Sequence, residues 1–172
     1  TSSFELDLDG WITGGMDQSF TTRTGSAVYH SYGTGPSGAA VGSYYAYAFS
    51  YAWPYYQKFD LEKTFPAGQE LYGIAFQYHM LGVYMGSAVL ESSATGTSWA
   101  SLWSKSGNMG NQWNQATVYA LGGSGQTMLR FTYTSGSSWS GDFALDDIQI
   151  GDCLTVGCSA SPNSVCMVPG GT

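Results

Sequence analysis

Two adjacent aspartates, Asp146 and Asp147, interrupt an apolar stretch that otherwise has the pattern of a β-strand. Aspartate is depleted in strands, and a carboxylate costs free energy to bury unless a partner compensates it. In a regular strand Asp146 shares a face with Ala144, Ile148 and Ile150, so its carboxylate is predicted to point towards the side that the isoleucines fill. That position requires a partner, which could be a cluster of backbone N–H groups, an arginine or a bound cation.

The other residues capable of acid–base or nucleophilic chemistry form no recognisable catalytic set. The histidines are His30 and His79, and we interpret His79, inside an apolar strand pattern, as a packed residue. No Gly-x-Ser-x-Gly elbow is present, and nothing places Glu70 and Glu91 across a cleft as a glycosidase requires. The glycine pattern at 33–38 contains a proline and precedes no helix, so it predicts a turn rather than a dinucleotide site. The sequence therefore predicts a protein without catalytic activity.

Aromatic side chains offer a second kind of chemistry, namely contact with a sugar ring or with a protein partner. They make up 16% of the chain and are densest between Tyr44 and Tyr56. Most rings in a small domain belong to its core, but Trp139 lies in a loop of serines and glycines. Exposed rings suit both stacking on glycans and anchoring a protein partner. We therefore predict ligand contacts for Trp139, Tyr55 and Trp99.

Length, composition and charge indicate a single domain and argue against nucleic-acid binding and membrane insertion. The 172 residues suffice for one domain with a full core, and only 10% of them are charged. The formal net charge is −7, and the five basic residues are scattered, which argues against a nucleic-acid partner. No apolar run approaches the roughly 20 residues of a membrane-spanning helix, so membrane insertion is not expected.

Cysteine occurs only near the end of the chain, as Cys153, Cys158 and Cys166. The odd number leaves one cysteine free or paired with another chain, and we expect one disulfide of open connectivity within this tail. A zinc site is a poorer explanation, because a fourth ligand is missing. Residues 154–172 have no periodicity and are interpreted as a linker or the start of a following segment.

Strand-like segments recur about every ten residues, separated by clusters of Gly, Ser, Pro or Asn. Phe4 to Asp9 alternates apolar and acidic residues and predicts a half-buried strand. A short strand is also expected at 27–32. Further strands are predicted within 44–56, 59–65, 71–80, 85–91, 99–104, 112–120, 127–133 and 143–150. Since no long helical pattern is present, the chain is predicted to be an all-β sandwich of two sheets.

Five short motifs, in order along nearly the whole chain, resemble those of the MAM domain, an extracellular module. They are Phe4-Glu5 with Gly10-Trp11, the loop Gly33–Pro36, the hairpin Phe76–Gly86 (FQYHMLGVYMG), Leu102-Trp103 with Gly107, Gly110 and Trp113, and Gly141–Ile148 (GDFALDDI). Cys153 stands where the family ends on a cysteine. Other cysteines that the family usually has are replaced by Ser3, Asp9 and, approximately, Tyr72, so the chain resembles a divergent member.

The resemblance implies a jelly-roll-like β-sandwich of two antiparallel sheets over residues 1–153. It implies an extracellular, secreted or cell-surface module of a larger protein, which binds a protein partner or a second copy of itself in adhesion or assembly. A carbohydrate-binding module of a secreted enzyme or cell-wall protein is the alternative, with a glycan as its ligand.

The resemblance also suggests a structural calcium ion, because some MAM domains hold a cation near the strand ends. Glu5, Asp17 and Asp146 are the predicted ligands, provided that the first and last strands are neighbours. Calcium needs several oxygen ligands, and carbonyl groups near Thr34 or Gly35 could supply the rest. The alternative is that Glu5 lies on a solvated face and Asp146 accepts backbone N–H groups. Calorimetry with calcium, together with melting in a chelator, tests this prediction.

Overall fold

The computed structural model describes residues 1–27, 30–50, 55–67, 69, 71–119, 121 and 128–151. Within them the chain forms ten strands and one short 3-10 turn at His30–Tyr32. The strands are β1 (Gln18–Ser19), β2 (Thr21–Thr24), β3 (Tyr44–Ala48), β4 (Lys58–Thr64), β5 (Gly73–Leu81), β6 (Ser87–Ser93), β7 (Ala100–Ser106), β8 (Trp113–Tyr119), β9 (Met128–Thr134) and β10 (Asp142–Gly151). None of the described helical segments has the length or apolarity needed to cross a membrane.

The strands form two five-stranded sheets, which confirms the predicted β-sandwich. The first sheet has the order β1-β4-β9-β6-β7 and the second has the order β2-β3-β10-β5-β8. Neighbouring strands are antiparallel, apart from the two-residue pairing of β1 with β4, which is parallel. The chain passes from the first sheet to the second at Phe20, between β1 and β2, so these two strands form adjacent edges of the sandwich.

The core lies between the sheets because each strand presents alternate apolar residues to the other sheet. In β9 every second residue is buried. The ring centroids of Phe131 on β9 and Phe76 on β5 lie 4.9 Å apart. Tyr133 stacks on Phe143 of β10 with ring centroids 5.0 Å apart. These aromatic contacts across the interior fix how the two sheets face each other.

The predicted strand from Phe4 to Asp9 is wrong, since this segment folds as a compact loop. Asp9 accepts a hydrogen bond from the Phe4 amide at 2.7 Å, and Asp7 accepts one from the Asp9 amide at 2.6 Å. Phe4 and Asp9 have φ angles of 60° and 50°. Aspartate side chains that bind nearby amides compete with regular secondary structure. Phe4 is consequently buried, whereas Leu6 is 95% exposed.

The acidic pair lies in β10 but does not follow the parity predicted for a regular strand. The pairing with β5 shifts register between Asp146 and Gln149, and Asp147 has a φ angle of 45°. This bulge places Asp146 on the outer face of the second sheet with Ala144, whereas Ile148 lies in the core between the sheets. The prediction that Asp146 points to the side of the isoleucines is therefore wrong, although Asp146 is completely buried.

The sandwich has two ends, which we call the loop end and the terminal end. The loop end consists of segments 30–36, 55–57, 82–86 and 135–141, which are joined by backbone hydrogen bonds such as Tyr84 N to Ser140 O at 3.0 Å. The terminal end lies opposite, where Gly151 pairs with Gly73. Ser2 pairs with Ile148 towards the terminal end, so the first residues and the last strand are neighbours, as the calcium hypothesis required.

Residues 152–172 lie outside the described part of the chain, and with them the three cysteines and the predicted linker. Residues 28–29 of the expected strand at 27–32 also lie outside it, and His30–Tyr32 forms the 3-10 turn.

Candidate functional site

Two of the three rings predicted to bind a ligand, Trp139 and Tyr55, lie at the loop end. Trp139 is half-buried and meets Tyr32 edge to face, with ring centroids 6.0 Å apart. Its carbonyl oxygen accepts a hydrogen bond from the Ser50 hydroxyl at 3.2 Å. Tyr55 is also half-buried and precedes the exposed Tyr56. The structure therefore brings these two predicted residues to one region of the surface.

The third predicted ring, Trp99, does not join them. It lies between β6 and β7, at the terminal end of the first sheet. Its indole N–H donates to the Gly96 carbonyl at 3.0 Å, and the Arg130 guanidinium stacks 3.8 Å from its ring centroid. Arg130 in turn pairs with Glu91 at 2.9 Å. Trp99 is thus one layer of a stack on the outer face of the first sheet.

The loop end exposes further large apolar side chains besides the predicted rings. Tyr32 is 67% exposed, Tyr56 66%, Val83 81% and Tyr84 47%. Val83 and Tyr84 occupy the turn between β5 and β6, where turn-forming polar residues are usual. Two large apolar residues at such a turn were the signal that could have identified this surface. We call these four residues, together with Trp139, the aromatic patch.

Close backbone contacts between two loops hold the aromatic patch in place. The Tyr84 carbonyl packs so tightly against Gly136 and Gly141 that a Cβ atom at either glycine would overlap it. Tyr133, rising from β9, accepts a hydrogen bond from the Gly86 amide at 3.2 Å and donates one to the Gly141 carbonyl. The turn carrying Val83 and Tyr84 is therefore fixed against the loop that carries Trp139.

A buried carboxylate, Asp142, lies directly beneath these loops. It accepts hydrogen bonds from the Tyr47 hydroxyl at 2.6 Å, from the Ser50 amide at 2.8 Å and from the Ser50 hydroxyl at 3.1 Å. The Asp142 amide donates to the Thr34 hydroxyl at 2.9 Å. Burial raises the pKa of Asp142, and burial together with this carboxylate raises the pKa of Tyr47. Asp142 thereby ties β10 to β3 and to the turn at 30–36.

The three carboxylates of the calcium hypothesis each bind backbone amides. Asp146 accepts from Ala40 at 2.8 Å and from Val41 at 3.0 Å. Burial raises the pKa of Asp146, although these hydrogen bonds oppose the shift.

Glu5 holds the next part of the same segment. It accepts from the amides of Ser43 at 2.8 Å and Tyr44 at 2.9 Å, which lower its pKa. Asp17 lies elsewhere and accepts from the Lys58 amide at 3.0 Å. Glu5 and Asp146 thus share segment 40–44, and Asp17 does not.

The hydrogen bonds of Glu5, Asp17 and Asp146 determine whether these carboxylates could bind a cation. The hydrogen-bond partners of the three carboxylates are backbone N–H groups, whereas calcium requires six to eight oxygen ligands. Across residues 1–151, in the parts that the structure describes, no cluster of three or more His, Cys, Asp or Glu is arranged to hold a metal ion. The donor set of Glu5, Asp17 and Asp146 therefore does not fit a calcium ion in this arrangement. Calcium binding stays a prediction, which a calorimetric titration with a flat trace would contradict.

His79 has the environment of a packed residue. It lies on β5 with 1% of its surface exposed, and its ring packs against Trp113 with ring centroids 5.4 Å apart. Nε2 lies 3.3 Å from the Asn111 side-chain oxygen, and Nδ1 has no partner among the described residues. Burial lowers the pKa of His79 to about 4, so the ring is neutral at pH 7.

Comparison with known sequences identifies the family. The family model of the MAM domain (meprin/A5/mu) matches residues 2–154. MAM domain-containing glycosylphosphatidylinositol anchor protein 1 is 37% identical over 108 residues in Rattus norvegicus and 35% identical in Homo sapiens. Each match covers 60% of this chain and 11% of the relative. The chain thus spans about a tenth of the relatives' length, and like them it is extracellular.

Solved structures share the fold at low sequence identity. The K2 cleaved adhesin domain of Lys-gingipain superposes with a TM-score of 0.66 at 18% identity, covering 87% of this chain and 96% of that one. TmCBM61, solved in complex with beta-1,4-galactotriose, gives a TM-score of 0.51 at 16% identity, with 88% and 91% covered. These likenesses support the sandwich architecture. With its family model matched over residues 2–154, the chain belongs to the MAM domain family.

Proposed function

We propose that this extracellular domain is a non-catalytic binding module that makes protein–protein contacts, in adhesion or in assembly, through its aromatic patch. The observation that carries the proposal is the gathering of Tyr32, Tyr56, Val83 and Tyr84 around Trp139 at one end of the sandwich. Tyrosine and tryptophan are enriched among the hot spots of protein interfaces. Exposed apolar residues that cluster in one patch are typical of an interaction site.

The chemistry of the patch supports a protein partner more than a glycan. The loop-end segments 30–36, 55–57, 82–86 and 135–141 contain no Asp, Glu, Lys or Arg, although the chain has a net charge of −7. Depletion of charge is typical of the centre of a protein interface. Val83, the most exposed member of the patch, is an aliphatic side chain and offers no ring on which a sugar could stack.

The absence of catalysis is proposed because the chemically capable residues serve internal contacts. Asp142 and Asp146 bind neighbouring amide and hydroxyl groups, and His79 is buried against Trp113. None of them faces the aromatic patch as a free acid or base.

Carbohydrate binding remains the second candidate, since one feature of the same surface favours it. Ser137 and Ser138 precede Trp139, so the same loop carries hydroxyl groups and an aromatic ring. That combination suits sugars, which present both an apolar face and hydroxyl groups. A partner in adhesion and a glycan would therefore compete for the same surface.

Variants of the patch test the proposal. Replacing Tyr56 and Tyr84 together by serine is expected to weaken self-association or partner binding at least about tenfold, because each exposed ring is worth ~1–2 kcal/mol at a hot spot. Self-association is measured by sedimentation over a range of concentrations, and adhesion by aggregation of beads that carry the domain.

Tyr119→Ser provides the matched control, since Tyr119 is 58% exposed but lies at the terminal end on β8. It should leave binding unchanged. Equal losses in Tyr119→Ser and in the double variant would contradict a site at the loop end. A strict monomer that binds defined sugars on a glycan array would refute the protein-contact proposal in favour of the glycan.

A further inference from the structure

A separate groove lies where the edges of the two sheets meet, beside β1 and β2. It has a volume of about 300 Å³. Its lining is contributed by four strands and their ends, namely Gln18, Ser19, Thr21, Arg23, Tyr47, Phe49 and Phe59. Its volume is at the lower end of the ~300–1,000 Å³ found for small-molecule sites, which suits one ring-sized ligand. We call it the edge groove.

Three aromatic rings form the apolar part of the edge groove. Tyr47 and Phe59 are almost fully buried and belong to the sandwich itself. Phe49 is half-buried and stacks on Tyr47, with ring centroids 6.0 Å apart and an interplanar angle of 24°. β3 carries Tyr47 and β4 carries Phe59, so these two rings are in place before any ligand arrives, and Phe49 directly follows β3.

Arg23 gives the edge groove its charge. Its guanidinium carbon lies 5.6 Å from the Tyr47 ring centroid, and no carboxylate among the described residues forms an ion pair with it. Three described acidic residues adjoin the lining, and each is bound to other groups: Asp17 and Asp60 accept from backbone amides, and Asp142 accepts from the Tyr47 hydroxyl. A guanidinium held on an aromatic ring without an anionic partner can form two parallel hydrogen bonds to an incoming carboxylate.

The remaining lining residues define what else the ligand must offer. The hydroxyl groups of Ser19 and Thr21 and the amide of Gln18 can each donate and accept hydrogen bonds. A ligand that matches the whole lining has an apolar ring face, several hydroxyl groups and one carboxylate. We propose that the edge groove binds a hexuronate, that is, a sugar ring with a carboxylate, free or at the end of a glycan. This site is independent of the aromatic patch.

The test is a calorimetric titration of the complete chain with glucuronate, with glucose as its uncharged counterpart. Glucuronate is expected to bind, glucose at least about tenfold more weakly, and added salt should weaken the glucuronate complex. Arg23→Gln should reduce glucuronate affinity at least about tenfold. Lys105→Gln is the matched control, because it removes one exposed cation from β7 in the other sheet and should change nothing.

Two further probes distinguish a hexuronate from other anions. Acetate tests recognition of a bare carboxylate, and N-acetyl-glutamate amide tests an acidic peptide. Equal binding of either compound and glucuronate would overturn the proposal, as would equal losses in Arg23→Gln and Lys105→Gln. Phe49→Leu keeps the charge and removes the stacked ring, so it should weaken glucuronate but not acetate. Thermal unfolding verifies that each variant is folded. Failure of these experiments would leave the aromatic patch untouched, since its variants lie at other residues.

Discussion

Replacing Asp142 by alanine is expected to lower the free energy of unfolding by about 3–5 kcal/mol. The Asp142 carboxylate is completely buried, and its removal leaves the Tyr47 hydroxyl, the Ser50 amide and the Ser50 hydroxyl without their acceptor. Unpaired buried donors lose the full free energy of hydration. Because domains of this kind are stable by ~5–15 kcal/mol, the loss is a large part of the total. Urea unfolding measures it as a shift of the midpoint at constant slope.

Asp142→Asn is the matched control. An asparagine amide has nearly the same shape, its oxygen can accept from Ser50, and its N–H can donate to the Tyr47 hydroxyl. We therefore expect it to lose less than half as much stability as alanine. An asparagine variant as unstable as the alanine variant would mean that charge, rather than hydrogen bonding, is what this position contributes. An alanine variant within 1 kcal/mol of the parent would contradict the network altogether.

The stability difference between the parent and Asp142→Asn should depend on pH. Its direction follows from the pKa shift of Asp142. Burial raises the pKa of Asp142 in the folded protein above the value of ~3.9 expected in the unfolded chain. The folded state then binds more protons between these two pKa values, so stability falls as pH rises through that window. The stability of the parent relative to Asp142→Asn should be greatest below about pH 4 and decline until the folded pKa is passed. A difference that grows with pH would contradict the sign.

Replacing Gly136 by alanine is expected to cost about 3 kcal/mol of stability and to abolish binding at the aromatic patch. The new Cβ atom would overlap the Tyr84 carbonyl and approach Met85, and both obstacles are backbone that cannot rotate away. The two loops must then separate, which moves Tyr84 relative to Trp139. Urea unfolding and the bead assay measure the two effects.

Two other glycines separate this clash from ordinary glycine effects. Gly38→Ala has open space around the new Cβ atom and should change stability by less than about 0.5 kcal/mol. Gly107→Ala also has open space, but its φ angle of 79° should cost ~1 kcal/mol through backbone strain alone. If Gly136→Ala costs no more than Gly107→Ala, the loops are not as tightly joined as the structure indicates.

The sequence predicts those strands in which the local sequence pattern matches the backbone conformation. β4 to β10 were predicted because strand-sized segments recur there between clusters of Gly, Ser, Pro or Asn. β1 and β2 were missed because they are short and polar, and tertiary pairing alone makes them strands. The loop from Phe4 to Asp9 was mistaken for a strand, since aspartate side chains capture the backbone amides there.

The candidate sites were predictable only in part, because they depend on how loops and edges meet. Trp139 was identified by its Ser/Gly loop, and Tyr55 by the density of aromatic residues around it. Tyr84 was placed in the turn between two strands, but its exposure was missed because the sequence does not show which side of a turn faces solvent. In the edge groove, Arg23 lies beside the Tyr47 ring because of the register between β2 and β3, which no local pattern contains.

Hydrogen bonds occupy the places where the family usually has cysteines. Asp9 binds the Phe4 amide, and the Tyr72 amide donates to the Gly151 carbonyl at 3.1 Å. Next to Ser3, Ser2 pairs with Ile148. Glu5 and Asp146 add a further connection, since both hold segment 40–44. The first and last parts of the domain are thus joined by polar contacts where cross-links would be expected.

The pairing of Ser2 with Ile148, near the end of β10, has a consequence for how the domain carries mechanical load. Tension applied between Ser2 and Gly151 would act on the two bonds at Ile148 first, and the N-terminal segment would peel away at low force. Tension between the loop end and the terminal end runs along β5 and β10 and loads their paired residues together, in shear. A partner that pulls on the aromatic patch against Gly151 would therefore load the domain along its mechanically stronger direction.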